Sequence, residues 1–346
     1  MILAAATAAF KPGIVSTASM ITLPFRAPRR YLHRTAGVFM PEGPECTVHT
    51  ESLDEACRGR IVTGAHILSG RYQGSGTVPG RGAPPEEWSA FQDALPATIS
   101  SVSNKAKFIF WTMTSAADGS QLTLWSTLGM TGAWSWIPSE HARICLELDD
   151  GERLYYNDQR NFGTITCCMD EVKLAAKLDS LGPSWLPPGN LPFEKFDQLA
   201  RRQCSKKRSA AVPLAKFLMD QSKTSGIGNY ILSESLFLAR IYPFAACGDL
   251  KESDWLSLHT AICDVIDRSY TSQRALAESQ AAAAASSQSG GSLSATRGTT
   301  WTFELHVFRR RTTADGLTVR QDEGPHKRSV FWVPERQLRG RKDAAD

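Results

Sequence analysis

None of the eight cysteines in this 346-residue chain is spaced C-x-x-C, and none lies beyond Cys263. Zinc sites of the finger and ribbon kind need such pairs, because two ligands from one tight turn must converge on one tetrahedral ion. The adjacent Cys167 and Cys168 do not fit that spacing. Free, mostly buried thiols in a reducing compartment are expected, with no metal and no other cofactor. No apolar run approaches the roughly 18 residues of a membrane span, so no membrane partner is expected. Acidic residues are missing from the first 40 positions, which hold five bases (Lys11, Arg26, Arg29, Arg30, Arg34) and are rich in Ala, Ser and Thr. That is the composition of an organellar transit peptide; the alternative is a true start at Met40. Both readings remove residues 1–40 from the fold.

What remains is globular in composition, with 42% apolar and 21% charged residues. The charge is uneven. Residues 41–190 hold 11 bases against 18 acids, a net −7, and residues 191–346 hold 23 bases against 17 acids, a net +6. A polyanion would settle on the C-terminal half, although an excess of six leaves nucleic acid only one possibility. From 41 to 182 the chain reads as short strands between Gly, Asp and Pro breaks: GRIVTGAHILSG, KFIFWTM, QLTLWSTLG, GAWSWI, ICLELDD, ERLYYND and GTITCCM. ESLDEACRGR reads as a short helix, and 72–88 as a Gly/Pro-rich loop. The class expected is α+β, an N-terminal β-sandwich flanked by helices. The proline-punctuated stretch 181–196 marks a boundary. Beyond it lies a helical domain, 183–274, in which EKFDQLARRQCSKKRSA, VPLAKFLMDQ and YILSESLFLARI are helices and SGIGN is a turn. Residues 275–299 are Ala/Ser-rich, low in complexity, and read as a disordered insertion. A β-hairpin over 300–338 and a basic tail over 339–346 complete the chain.

Five pieces stand in one order: MPEGPE, NKAKFIFW, STLGMTG, YNDQRNFGT and DQSKTSGIGN. Together they resemble the formamidopyrimidine-DNA glycosylase and endonuclease VIII family of base-excision repair enzymes, from Met40 to about Gln337. The resemblance implies that Pro41, freed as the amino terminus, is a nucleophile. A terminal secondary amine has a lower pKa than a lysine, so more of it is neutral at physiological pH. Glu42 would transfer protons at the sugar, and Glu45 would help organise the site. Lys107 matches a lysine that grips a phosphate, with Lys105 as its rival on the same strand face. Met130, Arg160 and Phe162 match the residues that fill the void left by an everted base. Asn161 stands where many bacterial relatives carry a second arginine, so contacts at that position do not carry over.

SGIGN resembles the turn of a helix–two-turns–helix motif. Gly226 and Gly228 would let the backbone approach DNA, Asn229 would donate to a phosphate, and Lys223 would add a contact. Glu234 would reach back toward the proline amine. Bacterial members carry four zinc-binding cysteines near the C-terminus; Val333 and Arg336 occupy the last two of those positions. The chain therefore resembles the zincless-finger members, with Arg328 as the finger arginine that clamps phosphates.

The resemblance implies a monomer acting on double-stranded DNA with damaged bases or abasic sites. It would work in the nucleus, or in the mitochondrion if 1–40 is a transit peptide. The zincless finger and the DQRNFG variant point toward formamidopyrimidines, hydantoins and oxidised pyrimidines. Two other classes compete. A lesion-binding protein without catalysis results if Pro41 stays in a peptide bond, and a structural nucleic-acid protein would use the helix–two-turns–helix alone.

Overall fold

The computed structural model describes residues 41–74, 76–186, 190–287 and 303–340. The extension 1–40, the last part of the Ala/Ser-rich segment and most of the basic tail lie outside them.

Helix α1 (Gly43–Cys57) starts within the acidic hexamer. Pro44 needs no amide partner in the first turn, and Glu42 and Glu45 form a reciprocal capping box. Its buried positions Cys46, Thr50, Leu53 and Cys57 recur at helical spacing and face the sheet. After β1 (Ile61–Ile67) and the short α2 (Trp88–Asp93) come β2 (Ala97–Lys105), β3 (Phe108–Ser115), β4 (Gln121–Thr127) and β5 (Gly132–Ser135). The sheet is completed by β6 (Ala142–Leu148), β7 (Arg153–Asp158) and β8 (Thr164–Cys168). All pairings are antiparallel, in the order β5-β7-β6-β1-β2-β3-β4-β8.

This single sheet is folded over on itself. Strands β1 and β2 share only the pairs Ile61–Thr98 and Val62–Ala97, so the sheet can bend there. Its two ends then meet. Trp134 of β5 packs 5.3 Å from Trp111 of β3, and its indole N–H donates to Ser126 of β4 at 3.2 Å. Tyr156 of β7 donates to the Thr127 carbonyl of β4 at 2.8 Å. Apolar alternation along β3 (Ile109, Trp111, Met113) supplies the layer between them. The expected sandwich is thus one continuous sheet. β2, absent from the strands expected, escapes the pattern because a register shift between Ile99 and Ser101 interrupts its alternation.

Helix α3 (Glu171–Asp179) leads into the second half of the fold. The expected helix 194–210 is two, α4 (Phe193–Cys204) and α5 (Lys207–Ala210), and the next one is reduced to α6 (Leu214–Met219). Then come α7 (Asn229–Leu238) and α8 (Glu252–Ser287). α8 runs thirteen residues into the segment expected to be disordered, since alanine is the strongest helix former. A hairpin of β9 (Arg320–Glu323) and β10 (Ser329–Trp332) follows.

One apolar cluster joins α4, α6, α7 and α8 to Val307, Phe308, Val330, Phe331 and Val333 of the C-terminal segment. Val333 is fully buried, and its N–H donates to Gln337. Arg336 pairs with Asp315 and lies over the Phe237 ring. Apolar packing and side-chain caps hold the hairpin at the two positions compared above with metal ligands. Among the described residues no helix is long and apolar enough to cross a membrane. All eight cysteines are free, six of them buried.

Because Trp134 closes the folded sheet, Trp134→Ala is expected to cost about 3–5 kcal/mol, read as a lowered urea midpoint.

Candidate active site and nucleic-acid interface

The acidic hexamer is docked on the first turn of α7. Glu42 is the N-cap of α1, yet its carboxylate also accepts from Tyr230 N at 2.9 Å and Ile231 N at 3.2 Å. One anion therefore serves the amino ends of two helices, where unpaired amides and both dipoles favour negative charge. Beside it, Gly43 N donates to the Gly226 carbonyl at 3.2 Å. Gly226 has φ +111°, a conformation that favours glycine. A Cβ on Gly228 would overlap the Glu42 carboxyl. The two glycines expected to approach DNA are thus also what lets the hexamer seat.

Glu45 lies one turn on, fully enclosed. Its oxygens accept from Glu42 N at 3.0 Å and Tyr230 Oη at 3.1 and 3.2 Å, and Oε1 is within hydrogen-bond distance of Ser269 Oγ of α8 at 3.1 Å. Burial, then the neighbouring Glu42 charge, push its carboxyl up to about 7. Burial also raises Glu42, with the Lys107 charge and the α7 amides opposing.

Lys107 is not on a strand. β2 ends at Lys105 and β3 begins at Phe108, and Ala106 between them has φ +57°. This tight turn separates the two lysines. Lys105 donates to the Leu178 and Leu181 carbonyls at the end of α3, at 2.7 and 2.9 Å. Lys107 turns toward α7 and donates to the Ile227 carbonyl at 3.0 Å. Burial lowers its pKa, Glu42 opposes, and the Arg328 charge on the hairpin lowers it further. Arg328 itself is exposed, as is Lys223.

Asn229 donates to the Ser329 carbonyl at 2.7 Å, tying the turn to the hairpin, while its Oδ1 is buried without a partner. Gln221, which received no role from the sequence, organises the turn. Its Oε1 accepts from Gly226 N, and its amide donates to the Met219 and Ile227 carbonyls. A half-buried amide with three backbone partners is a purely three-dimensional feature, so the flanking motif gave no sign of it.

Glu234 departs from its expected place. Its carboxylate accepts from Val307 N, Phe308 N and His306 N at 2.7–2.9 Å and from His306 Nδ1 at 3.0 Å. It lies more than a turn along α7 from the Glu42 cap, and its partners among the described residues are all in 306–308. Burial alone would raise its pKa, but these donors hold it below the usual carboxylate range.

The three void-filling candidates come from two adjoining loops. Gly129 (φ +58°) packs on the backbone of Phe162 and Gly163. Arg160 NH1 lies 3.2 Å from Met130 Sδ, and Phe162 is 59% exposed. Asp158 clamps the loops together, accepting from Thr131 Oγ1 at 2.5 Å and from Gly163 N at 2.8 Å. Asn161 has φ +57°, which turns the chain between Arg160 and Phe162.

The sequence matches the family models for the formamidopyrimidine-DNA glycosylase N-terminal domain over residues 40–165 and for the corresponding H2TH domain over 190–279. It is 31% identical over 235 residues to a formamidopyrimidine-DNA glycosylase of Geobacter sulfurreducens, covering 66% of this chain and 77% of that protein. With one of Chloroflexus aurantiacus it shares 32% over 240 residues, 68% and 78% of the two chains. The chain belongs to the formamidopyrimidine-DNA glycosylase family. The Lactococcus lactis glycosylase, solved bound to DNA containing an abasic site, has the same fold, with TM-score 0.64 at 20% identity over 86% of this chain and 99% of that one. Family membership makes this chain a DNA glycosylase of base-excision repair.

Gly228→Ala is expected to cost about 1–3 kcal/mol in urea unfolding, because the added methyl displaces a buried carboxylate. Glu234→Gln is expected to cost about 1.5–3 kcal/mol at neutral pH. Since the Glu234 carboxyl is held below its unfolded value, its contribution is present above that value and lost as pH falls through the folded one. The urea midpoints of wild type and Glu234→Gln should therefore converge in acid.

Proposed function

We propose that this glycosylase is bifunctional: the amine of Pro41, once it is the amino terminus, excises an oxidised base and then cuts the strand. The observation that carries this reading is the seating of the hexamer, which fixes the Glu42 carboxyl one residue from Pro41 and against the turn and the amides of α7. The Glu42 carboxylate takes the proton from the prolinium, leaving a neutral secondary amine. That amine attacks C1′ of the everted nucleotide; the C1′–N bond to the base breaks, and the base leaves with the N–H proton that the newly alkylated amine releases. Glu42, now protonated, gives its proton to the ring oxygen, which opens the sugar and leaves an iminium. The iminium acidifies the C2′ proton. Loss of that proton expels the 3′ phosphate, and a second elimination expels the 5′ phosphate.

The rest of the site supports this order. Lys107 is poised between Glu42 and Arg328, where it can turn from the Ile227 carbonyl to a phosphate. Arg328 and Lys223 are exposed for backbone contacts. Met130 and Phe162 supply sliding apolar surfaces, and Arg160 a guanidinium for the orphaned base. Formamidopyrimidines, hydantoins and oxidised pyrimidines are the substrates proposed, in nuclear or mitochondrial DNA.

Borohydride is expected to trap the protein beginning at Pro41 covalently on lesion DNA, and Pro41→Gly is expected to reduce excision sharply while keeping DNA affinity. Undiminished excision by that variant would refute the role of Pro41. Lesion affinity without trapping in the unsubstituted protein would instead mark a binding protein. Arg328→Ala is expected to weaken every lesion complex and to make the logarithmic salt slope shallower by about one.

A further inference from the structure

Three oxygens meet behind the hexamer, from three different helices. Glu45 Oε1 lies 3.1 Å from Tyr230 Oη and 3.1 Å from Ser269 Oγ, and the two hydroxyls are 2.9 Å apart. Every edge of this triangle is a hydrogen-bond length. The two hydroxyls bring two protons, which can fill only two edges. If Glu45 is ionised, one edge sets lone pair against lone pair. A proton on Glu45 fills the third: Glu45 donates to Ser269, Ser269 to Tyr230, and Tyr230 back to the Glu45 carboxyl.

Glu42 sits in the opposite surroundings. Among the described residues its oxygens meet only donors, the amides of Glu45, Tyr230 and Ile231, with the Lys107 charge nearby. Two buried carboxyls joined through a backbone N–H cannot both be charged cheaply, and these surroundings decide which one keeps the proton. The groups facing Glu45 are Glu42 and Cys46 from α1, Tyr230 from α7, Ser269 from α8 and, at longer range, Lys107. Among the described residues, no lysine or arginine forms an ion pair with it.

We propose that Tyr230 and Ser269 are positioning residues that keep one proton on Glu45, so that the glutamate pair beside Pro41 carries a single negative charge, placed on Glu42. The consequence for catalysis rests on the function proposed above, because only an ionised Glu42 can take the prolinium proton. Ser269 is the acceptor for the acid form, so its hydroxyl, two helices from the nucleophile, sets how far into the alkaline range the pair stays singly charged.

Infrared difference spectroscopy on the full chain tests the protonation directly. A carboxylic-acid carbonyl band is expected near neutral pH, absent in Glu45→Gln and titrating around the value of about 7. Ser269→Ala removes the acceptor and is expected to lower the proton affinity roughly tenfold, moving the midpoint acidward. The absence of any Glu45-dependent band at neutral pH would overturn the proposal even if Ser269→Ala failed to fold. An unchanged midpoint in a folded Ser269→Ala would overturn it as well. In the protein beginning at Pro41, the alkaline limb of borohydride trapping is expected to move with the band. A band without trapping in the unsubstituted protein supports the proton assignment and overturns the reading of Pro41.

Discussion

The Glu42 carboxylate, buried where two helices begin, is the interaction on which the rest of the site depends. α1 belongs to the sheet domain and α7 to the helical domain, so this one anion fixes the relation between them. Isolated, a buried carboxylate would be costly. Amide donors, helix dipoles and a lysine offset that cost, and each of these is positioned by backbone geometry more than by a flexible side chain. The arrangement requires bare backbone around it. Gly228 clears space for the carboxyl, and Gly43 and Gly226 bring two main chains into hydrogen-bond contact. A side chain at Gly43 or Gly228 would push the hexamer off α7, whereas Gly226 is required by its φ of +111°.

α7 acts as a beam to which the hexamer, the turn and the C-terminal hairpin are pinned. Its first turn holds Glu42, Tyr230 reaches Glu45 and Ser269, and Asn229 holds the Ser329 carbonyl of the hairpin. Ser233 accepts from Phe331 N, and Glu234 caps the 306–308 backbone. Residues Asn229 to Phe237 are all buried, polar ones included. A helix this enclosed shows no amphipathic face, yet its polar side chains are what connect hexamer, turn and hairpin. Glu234 is the case in point: an acid expected at the active site instead secures the finger, and thereby the arginine the finger presents.

What could be read from the sequence followed from locality. The hexamer, the Gly-x-Gly-Asn turn and the loops around Met130 and Phe162 are short motifs whose geometry is set within a few residues; the structure seats the hexamer on the turn and sets the two loops against each other. The strands with clean alternation were legible, whereas β2 was hidden by its register shift and α8 by an insertion-like composition at its end. Lys107 was assigned to a strand because its neighbours are apolar and aromatic, but the chain reverses at Ala106. Gln221, Ser269 and the true partners of Glu234 were illegible for a different reason. Each acts across more than one element, and a hydroxyl or amide in a helix carries no local sign of the group it will meet.

The site divides by rigidity. The groups proposed to handle protons, Glu42, Glu45, Tyr230 and Ser269, are buried in hydrogen bonds from three helices, whereas the groups that would meet DNA, Phe162, Arg160, Arg328 and Lys223, are exposed on loops. This division fits the chemistry. An everted nucleotide has to be found by side chains that can adjust, but a proton moves usefully only between oxygens and nitrogens held at fixed separation. Asp158 shows how the two demands are reconciled: it locks the bases of the wedge loops and leaves their tips to solvent. The same logic accounts for a finger held by packing. The hairpin is anchored where Asn229, Ser233 and Glu234 of α7 take hold of its flanks, so that the exposed Arg328 is presented from a fixed base.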